Sequence, residues 1–310
     1  MNKVGIIVIT AALAALAAGV FLRLDDPFEV KRLVAEPTAL PAWDGVAKSA
    51  LERVAKGTKY ERRWQVGHPP RDDMLSLVLI DSERLAGQKV NPALVDNCTY
   101  TGRDTLIICD VALVRKFLAE RDLDKRSVSS FDADGHVIDS KLQSIDQDSL
   151  QALYRMMLEW ILGHELGHIL NGDGRTHFTS GRLEDPVNPA SINQARELAA
   201  DGFLAQQYDG QSGEDFYFFL ISILQSEINR KACPDRSPRV YCPNIQVGVL
   251  IFSPNDYVRY SRKGTHPEFI IRMDRLLILA DEKHDLGIIG PLARGLKEKL
   301  LEEGAPRPSS

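Results

Sequence analysis

Hydrophobic positions recur along this chain at two spacings, one typical of strands and one typical of helices. Short apolar runs bounded by turn residues predict strands at 74–80, 93–100 and 104–110, and a Thr-Gly-Arg turn joins the last two into a hairpin. Apolar positions three to four residues apart predict a larger set of helices, over 43–63, 111–122, 150–170, 191–208, 213–231 and 266–284. The polar segment 125–149 and the Gly- and Pro-rich segment 172–191 are expected to form loops.

The N-terminal segment is long and apolar enough to be a membrane anchor. Residues 4–22 are uncharged, lie between Lys3 and Arg23, and make a run of nineteen, which suffices to cross a bilayer as a helix. A cleavable signal peptide is the alternative, because the Ala-rich residues 14–18 resemble a cleavage region, although the apolar run continues beyond them. We favour an uncleaved anchor, residues 1–24, and both interpretations place the rest of the chain outside the cytoplasm.

Composition indicates one principal domain. The chain has 310 residues, of which 44% are hydrophobic and 26% are charged, so it can bury a substantial core without a partner. Residues 25–72 are expected to form a stem with a helical lead-in, 73–285 the principal domain and 286–310 a tail. The net charge of −5 comes from charges scattered along the chain rather than gathered in blocks, so nothing in the charge pattern predicts nucleic-acid binding.

The four cysteines form two local pairs, Cys98 with Cys109 and Cys233 with Cys242. An even number of cysteines in an exported chain favours two small disulfide loops, the first of which would staple the predicted hairpin. Four unpaired thiols are the alternative. Neither pair has the tight Cys-x-x-Cys spacing of a zinc knuckle.

The stretch "GHELGHIL" carries the most specific chemistry in the chain. His164 and His168 are four residues apart in the predicted helix 150–170, so their imidazoles share one face and can bind one metal ion. Glu165 lies about 100° round the helix from His164, which suits a base acting on a water at the metal rather than a third ligand. Two buried core histidines are the alternative interpretation.

A zinc enzyme of this kind needs a third protein ligand and leaves a fourth position open. Glu197 on the next predicted helix is the better candidate, and Asp201, four residues later, lies on the same face. Asp201 would accept the free ring N–H of His164 or His168. His177, in the loop after the histidine helix, is a weaker candidate, and a solvated helix face is the alternative for the acidic pair.

Three motifs occur in order: "GHELGHIL", "RELAADGF" and "THPEFIIRM". Together they resemble the gluzincin metallopeptidases of the family that contains the CaaX prenyl protease and its bacterial heat-shock and periplasmic relatives. The upstream segment "DNCTYTGRDTLIICDVALVRKF" is also similar, and the resemblance covers roughly residues 74–281. The chain departs from the family at Cys98, where a small residue is usual, and in a loop of some twenty residues before Glu197. The single predicted span also separates it from the multi-spanning members.

The resemblance implies an α+β fold, a mostly helical zincin-like (minigluzincin) domain with a small sheet packed on the His-Glu-x-x-His helix. It implies one zinc ion held by His164, His168 and Glu197, with Glu165 taking a proton from the attacking water and passing it to the leaving amine. A substrate strand would pair with the edge of the 93–110 hairpin.

The third motif supplies two further expected site residues. By resemblance, His266 stabilises the oxyanion, whereas Arg272 orients the site. A histidine that starts a helix before Pro267 is the alternative for His266.

The predicted function is a zinc endopeptidase acting on proteins or peptides in the periplasm or extracytoplasmic space. It would be anchored by one helix in the inner membrane, or secreted if that helix is cleaved, and would act in protein quality control of the cell envelope. A chaperone-like or binding module with a zinc site and a zinc amidase of the same fold remain alternatives.

Overall fold

The computed structural model describes residues 40–68, 70–85, 91–101, 105–131, 133–134, 137–173, 189–207, 215–223, 226, 276 and 279–282. The expected anchor at 4–22 and the individual residues His177, Cys233, Cys242, His266 and Arg272 lie outside these ranges. Within them, no helix is long and apolar enough to cross a membrane.

The described chain is a mixed α+β structure. Its helices are α1 (Pro41–Ala55), α2 (Val111–Glu120), α3 (Gln147–Asn171) and α4 (Pro189–Gln207), followed by helical residues 215–223. Its strands are β1 (Trp64–Val66), β2 (Leu75–Ile80), β3 (Cys98–Thr101), β4 (Leu106–Asp110), β5 (Lys125–Phe131) and β6 (Val137–Ser144).

A four-stranded sheet in the order β1-β2-β4-β3 forms one layer, with β1, β2 and β4 parallel and β3 antiparallel at the edge. Side chains alternate across it, as the pleat of a strand requires. Leu77 and Ile107 face the main core with the helices, whereas Val78 and Ile108 belong to a smaller cluster. The predicted strand at 74–80 and the hairpin that ends at 110 are confirmed.

The main core is built around α3. Leu158, Leu162 and Leu166 of α3 are fully buried in one cluster with Leu51 and Val54 of α1. The segment expected to be a lead-in therefore contributes α1 to the same core as the principal domain, and its β1 extends the same sheet.

Three expectations about secondary structure were wrong. Residues 93–97 are not strand, because a short 3-10 helix, Pro92–Leu94, and a turn precede β3. Helix α1 ends at Ala55 rather than at 63, before a series of turns that contains the positive-φ Gly57. Segment 125–149 is not a loop, because β5 and β6 pair as an antiparallel hairpin. Its mostly polar strands lack the apolar alternation from which a half-buried strand is predicted.

The edge hairpin contains a disulfide between Cys98 and Cys109. The two residues are directly opposite each other in the β3–β4 register, and both are buried. This bond ties the edge strand to the parallel part of the sheet, as the sequence predicted.

A buried ion pair joins the end of β2 to α2. The Asp81 carboxylate is 1% exposed and accepts from Arg115 Nη1 at 3.1 Å and Nη2 at 2.8 Å. Burial alone would raise the pKa of Asp81, but the hydrogen bonds and charge of Arg115 outweigh it and hold the pKa below its ordinary value.

Asp81→Asn is expected to lower the free energy of unfolding at pH 7 by about 1–2 kcal/mol, because it removes the charge that pairs with Arg115. A depressed carboxyl pKa contributes stability above the unfolded-state value of 3.8 and loses it as the pH falls further. The difference from the wild type should therefore shrink below about pH 4, as measured by urea denaturation with a chelator present. Asp44→Asn, in an exposed pair, is the control; a difference for Asp81→Asn that does not depend on pH would contradict the expectation.

Candidate metal centre

Helices α3 and α4 approach closely because two glycines face the contact. Gly163 and Gly167 are four residues apart and therefore share one face of α3. A Cβ atom on Gly167 would lie 2.7 Å from the carbonyl oxygen and 2.8 Å from the Cα of Ala200, and one on Gly163 would collide with Leu204. At Gly167 the α4 backbone thus rests directly against α3, and at Gly163 the Leu204 side chain of α4 fills the space that a side chain would need.

This approach brings together three side chains of types that can bind a metal ion. The Nε2 atoms of His164 and His168 are 3.1 Å apart. Glu197 extends one carboxylate oxygen to 3.2 Å from His164 Nε2 and the other to 3.4 Å from His168 Nε2. The ligand atoms of the three residues all lie within 4.8 Å of one another, so the group can hold a metal ion.

The other nitrogen of each imidazole is held by a carboxylate. His164 Nδ1 lies 2.9 Å from Asp201 Oδ1, and His168 Nδ1 lies 3.0 Å from Asp173 Oδ2. A neutral ring that donates its Nδ1–H to the carboxylate presents its Nε2 lone pair to the shared centre, which is the tautomer that a metal ligand needs. Of the two histidines that the sequence left open for Asp201, the structure selects His164. The role of Asp173 was not predicted.

Glu165 does not converge with the three candidate ligands. It is half-buried, and its Oε2 accepts the backbone N–H of Tyr100 on β3 at 3.1 Å. The glutamate next to the first histidine therefore lies between the candidate metal centre and the edge of the sheet. This position suits a base rather than a ligand.

Tyr100 also contacts the candidate metal centre through its ring, which stacks on His168 with centroids 5.3 Å apart. Burial and the charges of Asp173, Glu165 and Glu197 raise the pKa of Tyr100 to about 12, so the phenol is neutral at physiological pH. Sequence reasoning placed Tyr100 in a strand but assigned it no role. Its only signal was its position in the segment that resembles the family upstream of the histidine helix.

The two glutamates of the site differ in their acidity. Burial opposes the ionisation of Glu197, but the hydrogen bonds and charges of His164 and His168 outweigh it and hold the pKa of Glu197 well below its ordinary value. Burial raises the pKa of Glu165, and the charges of the two histidines only partly oppose this. An ionised carboxylate suits metal binding, and a carboxylate of raised pKa suits proton transfer near neutral pH.

The remaining predicted site residues, His266 and Arg272, and the weaker candidate ligand His177 lie outside the described residues. Comparisons of the chain with protein-family models, with curated proteins and with solved structures give no match. The function is therefore inferred from the residues and geometry of the site.

Proposed function

We propose that this protein is a zinc-dependent endopeptidase with a zincin-like centre of the gluzincin type. The observation that carries the proposal is the arrangement of four residues, in which three converge and the fourth lies beside them. His164, His168 and Glu197 converge on one point, while Glu165, next to the first ligand, is held apart from them at the sheet edge.

The donor set fits zinc better than the other common metals. Two imidazole nitrogens and one carboxylate are ligands that zinc takes, whereas magnesium and calcium prefer sites made of oxygen atoms alone. Three protein ligands also match catalytic zinc sites, which keep one position open, rather than structural sites, which use four. Bound zinc would polarise a carbonyl group and make water a stronger acid.

Glu165 is the proposed general base. Its raised pKa brings proton uptake closer to neutral pH, and the N–H of Tyr100 holds one carboxylate oxygen in place. The carboxylate would take a proton from the attacking water and pass it to the nitrogen of the leaving amine. His266 and Arg272 are proposed, by resemblance alone, to stabilise the oxyanion and to orient the site.

A peptide substrate is favoured by the position of β3. This strand is one of the two edge strands of the described sheet, and its Tyr100 N–H points to Glu165 rather than to β4. An extended peptide can add to such an edge through main-chain hydrogen bonds, which would lay it beside the base and the metal ligands. We further propose that the segment 4–22 anchors the protein in the inner membrane with this site outside the cytoplasm, where envelope proteins would be its substrates.

The full chain is expected to bind about one zinc ion and to cleave an unfolded protein, because the three ligands form a single site. Removing the metal with a chelator should abolish cleavage, and adding zinc should restore it. His168→Ala should lose most of the bound zinc, as measured by elemental analysis, whereas His68→Ala, at an exposed histidine away from the site, should keep it. Metal-free protein that cleaves as fast as the zinc form would refute the proposal.

A further inference from the structure

The C-terminus of α3 is closed by a complete backbone cap that ends at an aspartate. Gly172 has a left-handed φ of 74°, which reverses the chain after Asn171. The N–H of Gly172 donates to the carbonyl of Ile169 at 3.3 Å, and the N–H of Asp173 donates to the carbonyl of His168 at 3.1 Å. This pair of bonds is the Schellman motif, and glycine is favoured at its left-handed position because it carries no Cβ atom.

The cap places Asp173 back over the last turn, next to a metal ligand. His168 and Asp173 form two hydrogen bonds. The backbone carbonyl of His168 accepts the N–H of Asp173, and the His168 ring Nδ1 lies 3.0 Å from Asp173 Oδ2. The Asp173 side chain is only 11% exposed. Its position therefore depends on the backbone turn as much as on the side-chain contact.

The second oxygen of the same carboxylate reaches the neighbouring helix. Asp173 Oδ1 lies 3.6 Å from Nε of Arg196 on α4. Arg196 directly precedes Glu197, the third candidate ligand. The carboxylate thus links the ligand at the end of α3 to the turn of α4 that contributes the ligand from the other side.

We propose that Asp173 is a positioning residue of the metal centre, which orients the His168 ring and ties it through Arg196 to the helix turn that carries Glu197. The inference rests on the proposed function only in requiring that His168 and Glu197 bind a metal. It gives the centre two orienting carboxylates, Asp201 from α4 for His164 and Asp173 from the cap of α3 for His168.

The alternative is that Asp173 only stabilises the end of the helix. Two features argue against a cap function alone. The Schellman bonds use the backbone N–H groups of Gly172 and Asp173, so any residue at 173 other than proline could make them. The carboxylate itself is directed at an imidazole nitrogen and a guanidinium, and neither is part of the helix cap.

The test measures zinc affinity, by competition with a chromogenic chelator, in the full chain. Asp173→Ala is expected to weaken zinc binding by about 10–100-fold, which is the usual effect of removing an orienting partner of a metal-binding histidine. Asp173→Asn, which keeps an oxygen that can accept the Nδ1–H, should lose less. In zinc-loaded protein labelled with nitrogen-15 at histidine, the His168 Nδ1–H signal should persist in the wild type and in Asp173→Asn and disappear in Asp173→Ala.

Asp146→Ala is the matched control, because Asp146 caps the other end of the same helix by accepting the N–H of Ser149 at 2.8 Å. It should lower the melting temperature without changing zinc affinity. If Asp173→Ala does not fold, Asp173→Ser, whose shorter side chain cannot span the same distance, is expected to show the same loss. If folded Asp173→Ala or Asp173→Ser binds zinc with an affinity within twofold of the wild type, the positioning role is overturned. A wild-type chain that binds no zinc would refute the proposed function instead.

Discussion

Replacing Glu165 with glutamine is expected to lower the rate of peptide cleavage by about 10²–10⁴-fold, the usual contribution of a general base. Glutamine has nearly the same shape, and its amide oxygen can still accept the N–H of Tyr100, which now donates to Glu165 at 3.1 Å. It cannot take up a proton near neutral pH. Because Glu165 is not among the three converging ligands, zinc content and thermal stability should stay close to those of the wild type.

The measurement is the initial rate of cleavage of an unfolded protein by zinc-loaded wild type and Glu165→Gln at equal concentration. Glu120→Gln, at an exposed glutamate away from the site, is the control and should cleave at the wild-type rate. An equally folded, zinc-loaded Glu165→Gln that cleaves as fast as the wild type would exclude the base role. A chaperone-like or binding module predicts in addition that Glu165→Gln keeps its function in cells.

Replacing Gly167 with alanine is expected to damage both stability and metal binding. In an exposed helix the change would stabilise by about 0.5–1 kcal/mol, because alanine loses less backbone entropy than glycine. Here the new Cβ would lie 2.7 Å from the carbonyl oxygen of Ala200, and a backbone atom cannot rotate away. Overpacking of this kind costs about 1–3 kcal/mol, which exceeds the gain in helix propensity. A net loss in the free energy of unfolding should result.

The effect on the metal centre follows from the same contact. Ala200 lies three residues, or about one helical turn, after Glu197, so displacing α4 at Ala200 also moves the third ligand. Metal sites tolerate errors of only about 0.5 Å in ligand position. We therefore expect Gly167→Ala to weaken zinc binding by at least about tenfold.

Gly45→Ala provides the matched control for this prediction. Gly45 lies inside α1, and a Cβ atom there would meet no other atom within 4 Å. This substitution should raise the free energy of unfolding by about 0.5–1 kcal/mol and leave zinc affinity unchanged. The two variants are compared by urea denaturation of the metal-free protein and by zinc titration. If Gly167→Ala matches Gly45→Ala in both measurements, the close contact between α3 and α4 does not exist.

Several features of the site were predictable because they depend on residues close together in the chain. A helix places residues four apart on one face, so the pairs His164 with His168 and Glu197 with Asp201 could be identified from spacing alone. The hairpin with paired cysteines was predictable for a similar reason, since a short turn between two apolar runs sets the register of an antiparallel pair.

Other features could not be predicted, because they join residues far apart in sequence. Tyr100 and Glu165 are 65 positions apart, and nothing in either local pattern indicates that the backbone of one binds the side chain of the other. The same holds for the contact of Asp201 with His164 rather than with His168, because Asp201 and His164 are 37 positions apart. Asp173 is close to His168 in sequence, but two residues five positions apart do not lie on the same face of a helix. Only the reversal of the chain at Gly172 brings the Asp173 carboxylate to the His168 ring.

The sequence by itself thus determined which residues can form the centre: two histidines and a glutamate on one helix, and two carboxylates on another. Only the tertiary structure decided how they are arranged, through the contact of α3 with α4 at Gly167 and the edge strand placed against Glu165. The physical reason is that helical periodicity is a property of neighbouring residues. The distance between two helices, in contrast, is set by the side chains, or their absence, where the helices meet.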